Sequence, residues 1–318
     1  MPTLTYLPDN KHVETLTGET LLETSLRHDI PHTHVCGGIA RCSTCRVMII
    51  EGLQHCSPRN SREQLLAERL HLGPQIRLAC QTTITGDVSL RRLVLDFEDI
   101  ELTSLLAADK TPISVGEEKK IAILFADIRQ FTTFSEALPP YDVIHVLNRY
   151  FTQMDRVIHR HGGFINNYMG DGLLALFDVD HPEDATLHAV QAGLEMLEAV
   201  EKLKVYLQSV YGMSFNIGIG IHYGEVVIGS VGGQSQRRMT AIGDAVNFAS
   251  RIEEANKSYA TQLLISEAAY AETRQHAQPG RQFNDVALRG KSGCYTLYEI
   301  VGIAGPRVLP DYRGQEGF

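Results

Sequence analysis

The stretch Leu124–Thr132 reads LFADIRQFT, and the apolar run Ile121–Ala126 delivers an acidic residue, Asp127, at its end. Such a run, rich in β-branched and aromatic residues, reads as a buried strand. A carboxylate placed there has to be solvated or bound, because burying it unpaired is costly. Further along, Asn166–Phe177 reads NNYMGDGLLALF, with Asp171 in a Gly-Asp-Gly turn between two strand-like segments, a hairpin signal. Two carboxylates at the ends of adjacent strands suit hard divalent ions, which take oxygen ligands. Each alone has a plainer reading, since Gly-Asp-Gly serves many hairpins that bind nothing and an aspartate after a strand commonly caps a helix.

A third segment, Thr240–Arg251, reads TAIGDAVNFASR. There Asn247 and Arg251 lie four apart, on one face of the helix that should follow Gly243 and Asp244. In this order the three segments resemble the catalytic domain of the class III nucleotidyl cyclases, which make cyclic AMP or cyclic GMP, and the likeness runs from Ile121 to Ile300. It implies a ferredoxin-like βαββαβ core in which a ribose 3′-oxygen attacks the α-phosphorus of a nucleoside triphosphate while pyrophosphate departs. Asp127 and Asp171, with the Ile128 carbonyl, would hold two Mg2+ (or Mn2+) ions, one lowering the pKa of the alcohol, the other neutralising the leaving phosphates. Arg251 would stabilise charge on the α-phosphate, where a fixed planar guanidinium does more than a mobile ammonium, and Asn247 would orient the ribose. In Leu288–Lys291, Arg289 stands where the family places a cation for the terminal phosphates; Lys291 either shares that task or is plain surface charge. The resemblance also implies a homodimer whose two sites each take the aspartates from one chain and the Asn-Arg helix from the other.

Base choice rests on two positions. Adenylate-making members commonly carry lysine three residues before the glycine of the hairpin turn, where this chain has Asn167. The second position holds Thr240, as in a threonine-containing bacterial subgroup. An Asn amide can donate to adenine N1 and a threonine hydroxyl can accept from the exocyclic amine, yet both groups can reverse roles and meet guanine. ATP is the favoured substrate and GTP the alternative. A further departure is Gln130, where the family often has glycine.

The rest of this domain reads strand, helix, strand, strand, helix, strand. Pro139 and Pro140 start a helix with an apolar face of Val143, Leu147, Tyr150, Phe151, Met154 and Ile158, ended by Gly162 and Gly163. Phe164–Phe177 is the hairpin and Glu183–Tyr206 a long helix. Phe215–Ile221 and Val226–Val231 are the next strands, the first with small residues that suit a close approach by a ligand or partner.

Ahead of it, Cys36, Cys42 and Cys45 are spaced C-x5-C-x2-C, with Cys80 following after 34 intervening residues. Clustered cysteines in a reducing cytosol are metal ligands or redox groups before they are disulfides. Plant-type ferredoxins use C-x4-C-x2-C. The extra residue makes this segment similar to the adrenodoxin-type 2Fe-2S ferredoxins, with Cys36, Cys42, Cys45 and Cys80 as ligands by that resemblance. Gly37 and Gly38 would let backbone wrap close to inorganic sulfur. A zinc site is the alternative, although zinc generally pairs two short spacings and here the fourth cysteine is isolated. Cys56 reads as a buried, inert thiol, and His32 and His34 as surface or packing residues. Strands over Thr3–Leu7, His12–Thr15, Arg46–Ile50, Ile76–Cys80 and Asp87–Leu90, with helices over Thr20–His28 and from Ser61 to Leu70, fit a small β-grasp-like α+β ferredoxin domain. The second helix carries a capping-box pattern, Ser61 with Gln64.

At 318 residues with 43% hydrophobic content the chain has apolar matter for two cores. The expected boundaries are a ferredoxin-type domain over 1–100, a linker over 101–118, a cyclase domain over 119–302 and a tail over 303–318. The net charge of −9, with both halves acidic, argues against nucleic acid or an anionic membrane as partner. Without an apolar run long enough for a signal or a span, the protein is expected to be soluble and cytoplasmic. The combined reading is an adenylate cyclase regulated by a redox-active 2Fe-2S cluster that an electron donor would serve. The alternatives are a guanylate cyclase, or an electron-transfer ferredoxin fused to an inactive cyclase-like module.

Overall fold

The computed structural model describes residues 1–7, 10–94, 116–177, 184–232 and 238–304. It divides into two units, Met1–Gly116 and Glu117–Phe318. The expected linker over 101–118 lies almost wholly outside the described residues, as does the expected tail beyond 304.

In the first unit, β1 (Thr3–Leu7) alternates so that Leu4 and Tyr6 point inward, and it pairs antiparallel with β2 (Lys11–Glu14). Helix α1 (Leu21–Arg27) starts on a capping box, in which Thr20 and Glu23 satisfy each other's backbone N–H groups. Strands β3 (Arg46–Glu51), β4 (Ile76–Leu78) and β5 (Val88–Arg92) complete a five-stranded sheet in the order β2-β1-β5-β3-β4. The expected strand over Ile76–Cys80 thus stops at Leu78, leaving Cys80 in the turn beyond it.

Helix α2 spans Ser61–Arg69, but its cap is Asn60, whose side chain accepts the Glu63 N–H at 2.9 Å. The capping box expected at Ser61 with Gln64 does not form; the cap lies one residue earlier, since Asn60 caps as well as serine. The shift turns Glu63 inward, where its carboxylate takes Arg77 Nε at 2.9 Å, Arg77 NH2 at 2.8 Å and the Leu78 N–H at 2.8 Å. Both side chains of this pair are buried, and each finds its partners at the other.

The second unit is an eight-stranded sheet. Its order is β12-β13-β11-β9-β6-β8-β7, with β10 on β9. Central strand β6 (Glu117–Ile128) begins two residues before the expected domain start. It is followed by a short helix α3 (Phe131–Glu136), then α4 (Pro140–Arg160), the hairpin β7 (Gly163–Met169) and β8 (Gly172–Phe177), α5 (Ala185–Tyr211), and β9 (Ile217–Val231). That sequence of elements contains the expected βαββαβ core. The expected start of the long helix at Glu183 falls outside the described residues. Beyond the core come β10 (Arg238–Ile242), α6 (Asp244–Tyr259), β11 (Leu263–Ser266), α7 (Glu267–Thr273), β12 (Ala277–Val286) and β13 (Tyr295–Ile303). No helix among the described residues is long and apolar enough to cross a membrane.

Two expected strands, Phe215–Ile221 and Val226–Val231, are one. β6 pairs residue by residue with β9 from Ile217 to Ile228, so the ladder carries the chain straight through the polar His222–Glu225 segment. One face of the sheet packs on α4 and α5 through Leu124, Tyr150, Met154, Val190 and Leu203. The other meets α6 through Ile121, Ile123, Leu174, Ala245 and Ala249. The close approach foreseen at the small residues of β9 is made by α6: a Cβ on Gly220 would stand 2.2 Å from the Glu253 nitrogen and 2.7 Å from the Ala249 oxygen. Gly220→Ala should therefore push α6 off the sheet and destabilise the second unit by about 1–3 kcal/mol, read as a lowered denaturant midpoint of its unfolding transition.

Candidate active site and cluster loop

The sheet brings Asp127 and Asp171 together. Asp127 is the penultimate residue of β6, opposite Gly218 of β9, while Asp171 sits in the β7–β8 turn. The turn closes on Asp127: a Cβ on Gly172 would lie 3.1 Å from Asp127 Oδ1. The two carboxyl groups lie close enough to oppose each other's ionisation. Burial first, and then the Asp127 charge, push the Asp171 carboxyl up to about 6. Nearby cations are few and specific. Lys257 Nζ is 3.9 Å from Asp127 Oδ2, and Arg129 NH2 is 2.8 Å from Glu253 Oε1 on α6. Burial raises Glu253 to about 7 in spite of Arg129.

Asn247 and Arg251 share the outward side of α6. Arg251 NH1 donates to Glu254 Oε2 at 2.9 Å, and the other Glu254 oxygen lies 3.7 Å from Arg289 NH1. One carboxylate thus gathers both guanidinium groups, with Arg289 82% exposed. Lys291 differs. It is 11% exposed, ion-paired with Asp244 at the start of α6, with its ammonium 5.5 Å from the centre of the Phe248 ring. Within one chain, no hydrogen bond or ion pair among the described residues joins Asp127 or Asp171 to Asn247, Arg251 or Arg289.

In the first unit the loop from Cys36 to Cys45 turns through left-handed backbone at Gly37, Gly38 and Ala40. Its sulfurs, with that of Cys80, fall into two pairs. Cys45 and Cys80 are 3.5 Å apart, and Cys36 and Cys42 hydrogen-bond to each other. Backbone N–H groups of Gly38, Arg41 and Cys42 point at Cys36, that of Thr44 at Cys42 and that of Ala40 at Cys80. In each pair the bond between the sulfurs holds one thiol down, Cys36 to about 4 and Cys80 to about 7, and pushes its partner, Cys42 or Cys45, up. All six cysteines are free thiols. Two sulfur pairs inside a cage of N–H donors fit a two-iron cluster. Among the described residues no three His, Cys, Asp or Glu side chains converge on one ion. His32 proves to be a packing residue: it is 2% exposed, its Nδ1 bonded to Ser25 Oγ at 2.8 Å, and burial lowers it to about 4. Cys56 is half-buried, and burial raises its thiol.

The family model for the adenylate and guanylate cyclase catalytic domain matches residues 113–301, well over half of the chain. This chain belongs to that cyclase family. The model for the 2Fe-2S iron-sulfur cluster binding domain matches residues 5–85 of the same chain. Among curated relatives, an adenylate cyclase of Anabaena cylindrica is 37% identical over 59% of this chain and 38% of its own length. Adenylate cyclase 1 of Rhizobium meliloti is 35% identical over 58% of this chain and 28% of its own. The chain thus spans less than two fifths of either relative. Among solved structures, the guanylyl cyclase Cya2 superposes with a TM-score of 0.57 at 34% identity, and the adenylyl cyclase CyaB from P. aeruginosa with 0.56 at 26%. Each match covers 61% of this chain and 98% of that structure.

Two local features bear on the expectations for this site. Gln130, which departs from the expected glycine, has a left-handed backbone with φ of 57°, a conformation that glycine adopts without strain. The Thr240 hydroxyl donates to Asn166 Oδ1 at 3.0 Å, and Asn166 Nδ2 in turn reaches the Met239 carbonyl. β7 has a bulge between Ile165 and Asn167 that puts Asn166, not Asn167, against Thr240. Asn167 is left exposed, with its amide open to a ligand. Arg129, Glu253, Asn166 and Gly172 are site neighbours that no sequence spacing singled out, although Arg129, Asn166 and Gly172 lie inside the stretches that marked the aspartates.

The raised Asp171 carboxyl has a consequence for stability. In the absence of metal the folded chain holds this proton to about 6, whereas the ordinary value is 3.8, so the folded state binds more protons between those limits. Stability from this group is full at the acid end and is lost as pH rises to about 6. Asp171→Asn should flatten that loss, as measured by denaturant unfolding of metal-free protein across pH 4.5–6.5.

Proposed function

We propose that this chain is an adenylate cyclase, converting ATP to 3′,5′-cyclic AMP and pyrophosphate at sites shared by two copies of itself, with its output set by the N-terminal 2Fe-2S cluster. The observation that carries the reading is the contact between the Asp127 and Asp171 carboxyls: two acidic oxygen donors are held together at the end of a rigid sheet, where mutual repulsion favours a cation between them. Magnesium or manganese ions held by Asp127, Asp171 and the Ile128 carbonyl would activate the ribose 3′-hydroxyl and neutralise the departing pyrophosphate.

The remaining steps belong to the chain's own side chains. Arg251 offers a planar fork to the α-phosphate, and Asn247 orients the ribose from the turn before it. Glu254 occupies the space between Arg251 and Arg289 in the free chain, and a triphosphate would take its place as the anion both guanidinium groups bind. Lys291 is committed to Asp244 and Phe248, which leaves Arg289 as the cation free to reach the terminal phosphates. Because no hydrogen bond or ion pair among the described residues of one chain joins the aspartate pair to Asn247, Arg251 or Arg289, a second copy would supply that half of the site. Free thiols disposed as cluster ligands suit a reducing cytoplasm.

The curated relatives named adenylate cyclase support ATP as substrate. Guanylate cyclase is the second reading, favoured by the likeness to the guanylyl cyclase Cya2 and by the open Asn167 amide, which can serve either base. A ferredoxin domain has no part in cyclisation. A cluster whose redox state biases the geometry of the dimer is the economical account of its presence.

Asp127→Ala and Asp171→Ala should each abolish product while leaving the brown colour of the cluster intact. Arg251→Ala should lower kcat by on the order of 100-fold or more. Mixing the inactive Asp127→Ala and Arg251→Ala proteins should restore about a quarter of wild-type activity, since each mixed dimer keeps one intact site. Failure to complement would remove the shared-site geometry. Product analysis from an ATP plus GTP mixture separates the two substrates, and equal rates in oxidised, dithionite-reduced and cluster-free protein would remove the redox control.

A further inference from the structure

We infer that Gln81 is a positioning residue of the iron-sulfur cluster, whose side-chain amide, aimed by Asn60, donates a hydrogen bond to the Cys80 sulfur and raises the reduction potential of the cluster. The inference rests on reading Cys36, Cys42, Cys45 and Cys80 as the cluster ligands.

Gln81 follows Cys80 in the turn after β4, where its own N–H is bonded to the Leu78 carbonyl at 2.9 Å. Its Nε2 lies 3.4 Å from Cys80 Sγ, a normal length for N–H donation to sulfur, 2.9 Å from the Cys80 carbonyl and 3.2 Å from the Gly38 carbonyl. The orientation of the amide is settled by its surroundings. Oε1 accepts from Asn60 Nδ2 at 2.8 Å, and Asn60 Oδ1 is occupied in turn by the Glu63 N–H at the start of α2. Reversing Gln81 would set its oxygen against two carbonyl oxygens and leave two N–H groups facing each other, so a single orientation fits, with the two Nε2 hydrogens shared among the three acceptors.

The same amide spans the two parts of the ligand set. Gly38 belongs to the loop that carries Cys36, Cys42 and Cys45, whereas Cys80 arrives from a different segment of the chain. A second side chain acts at the other sulfur pair, where the Thr44 hydroxyl lies 3.1 Å from Cys42 Sγ. The backbone N–H donors around the sulfurs come with the loop conformation. Gln81 and Thr44 are donors that a change of side chain can remove without altering that loop.

The sign of the effect follows from charge. When the cluster takes up one electron from an external reductant, negative charge grows on its sulfurs, and an N–H directed at a ligand sulfur stabilises the reduced form more than the oxidised one. Loss of that donor makes reduction harder and moves the midpoint potential to more negative values.

The test is an EPR-monitored dithionite titration of the full chain, purified anaerobically with its cluster. Gln81→Leu, which keeps the bulk and removes both donors, should shift the midpoint downward with an unchanged visible absorption spectrum. Gln81→Glu, which places an anion beside the sulfur, should shift it further. Asn60→Ser keeps a cap on α2 but is too short to hold the Gln81 oxygen, and should shift the midpoint in the same direction by less. That variant carries the test if Gln81→Leu fails to retain a cluster. Midpoints for Gln81→Leu and Asn60→Ser equal to that of the wild type, with intact spectra, would overturn the inference and leave the ligand assignment standing. Wild-type protein without 2Fe-2S absorption would instead overturn the ligand assignment, and the inference with it.

Discussion

The second unit is organised around a repulsive contact. Two carboxyl groups that would separate in water are pressed together where β6 meets the β7–β8 turn, and the charge of Asp127 helps keep a proton on Asp171 to about 6. Sheet rigidity makes this tolerable. β6 is hydrogen-bonded on both sides, to β8 from Ala122 to Ala126 and to β9 along its whole length. The ladders fix the backbone that carries Asp127, and their side chains fill the core on both faces of the sheet. Carboxyl groups whose protonation is displaced in this way are common at functional sites.

The same sheet explains how the other half of the chemistry is presented. α6 lies directly on backbone at Gly220, and its Glu253 is ion-paired with Arg129, just beyond β6. The helix therefore keeps its inner face against β9 and turns Asn247 and Arg251 outward, toward solvent or a second chain. A helix that sits so close to its sheet has little freedom to roll, which fixes the direction in which both side chains point.

In the first unit the corresponding constraint is the buried Glu63–Arg77 pair. Two charges taken out of water are held by each other and by the Leu78 N–H, and they fasten α2 to β4 just before Cys80. The cap residue of that helix, Asn60, then reaches Gln81 beside the same cysteine. One short network connects helix, strand and the Cys80 sulfur, so the position of that cysteine is influenced by polar contacts well outside the C-x5-C-x2-C loop.

The amino-acid sequence by itself determined the two-part α+β organisation, the central strand ending in Asp127, the Gly-Asp-Gly hairpin, the helix bearing Asn247 and Arg251, and the cysteine spacing. Each of these is carried by local chemistry: apolar runs, turn glycines and residue types at short fixed intervals. What tertiary structure decided lies across long intervals. The ladder with β6 merged two expected strands into β9, and a bulge in β7 matched Thr240 with Asn166 instead of Asn167. Asn60 took the cap foreseen at Ser61 because Glu63 had a buried partner fourteen residues away, in Arg77. Arg289 and Lys291, two residues apart and alike in charge, parted company because Asp244 and Phe248 claim the lysine alone. Such outcomes depend on which groups meet after folding, and spacing along a chain does not encode that meeting until the sheet has brought the distant segments side by side.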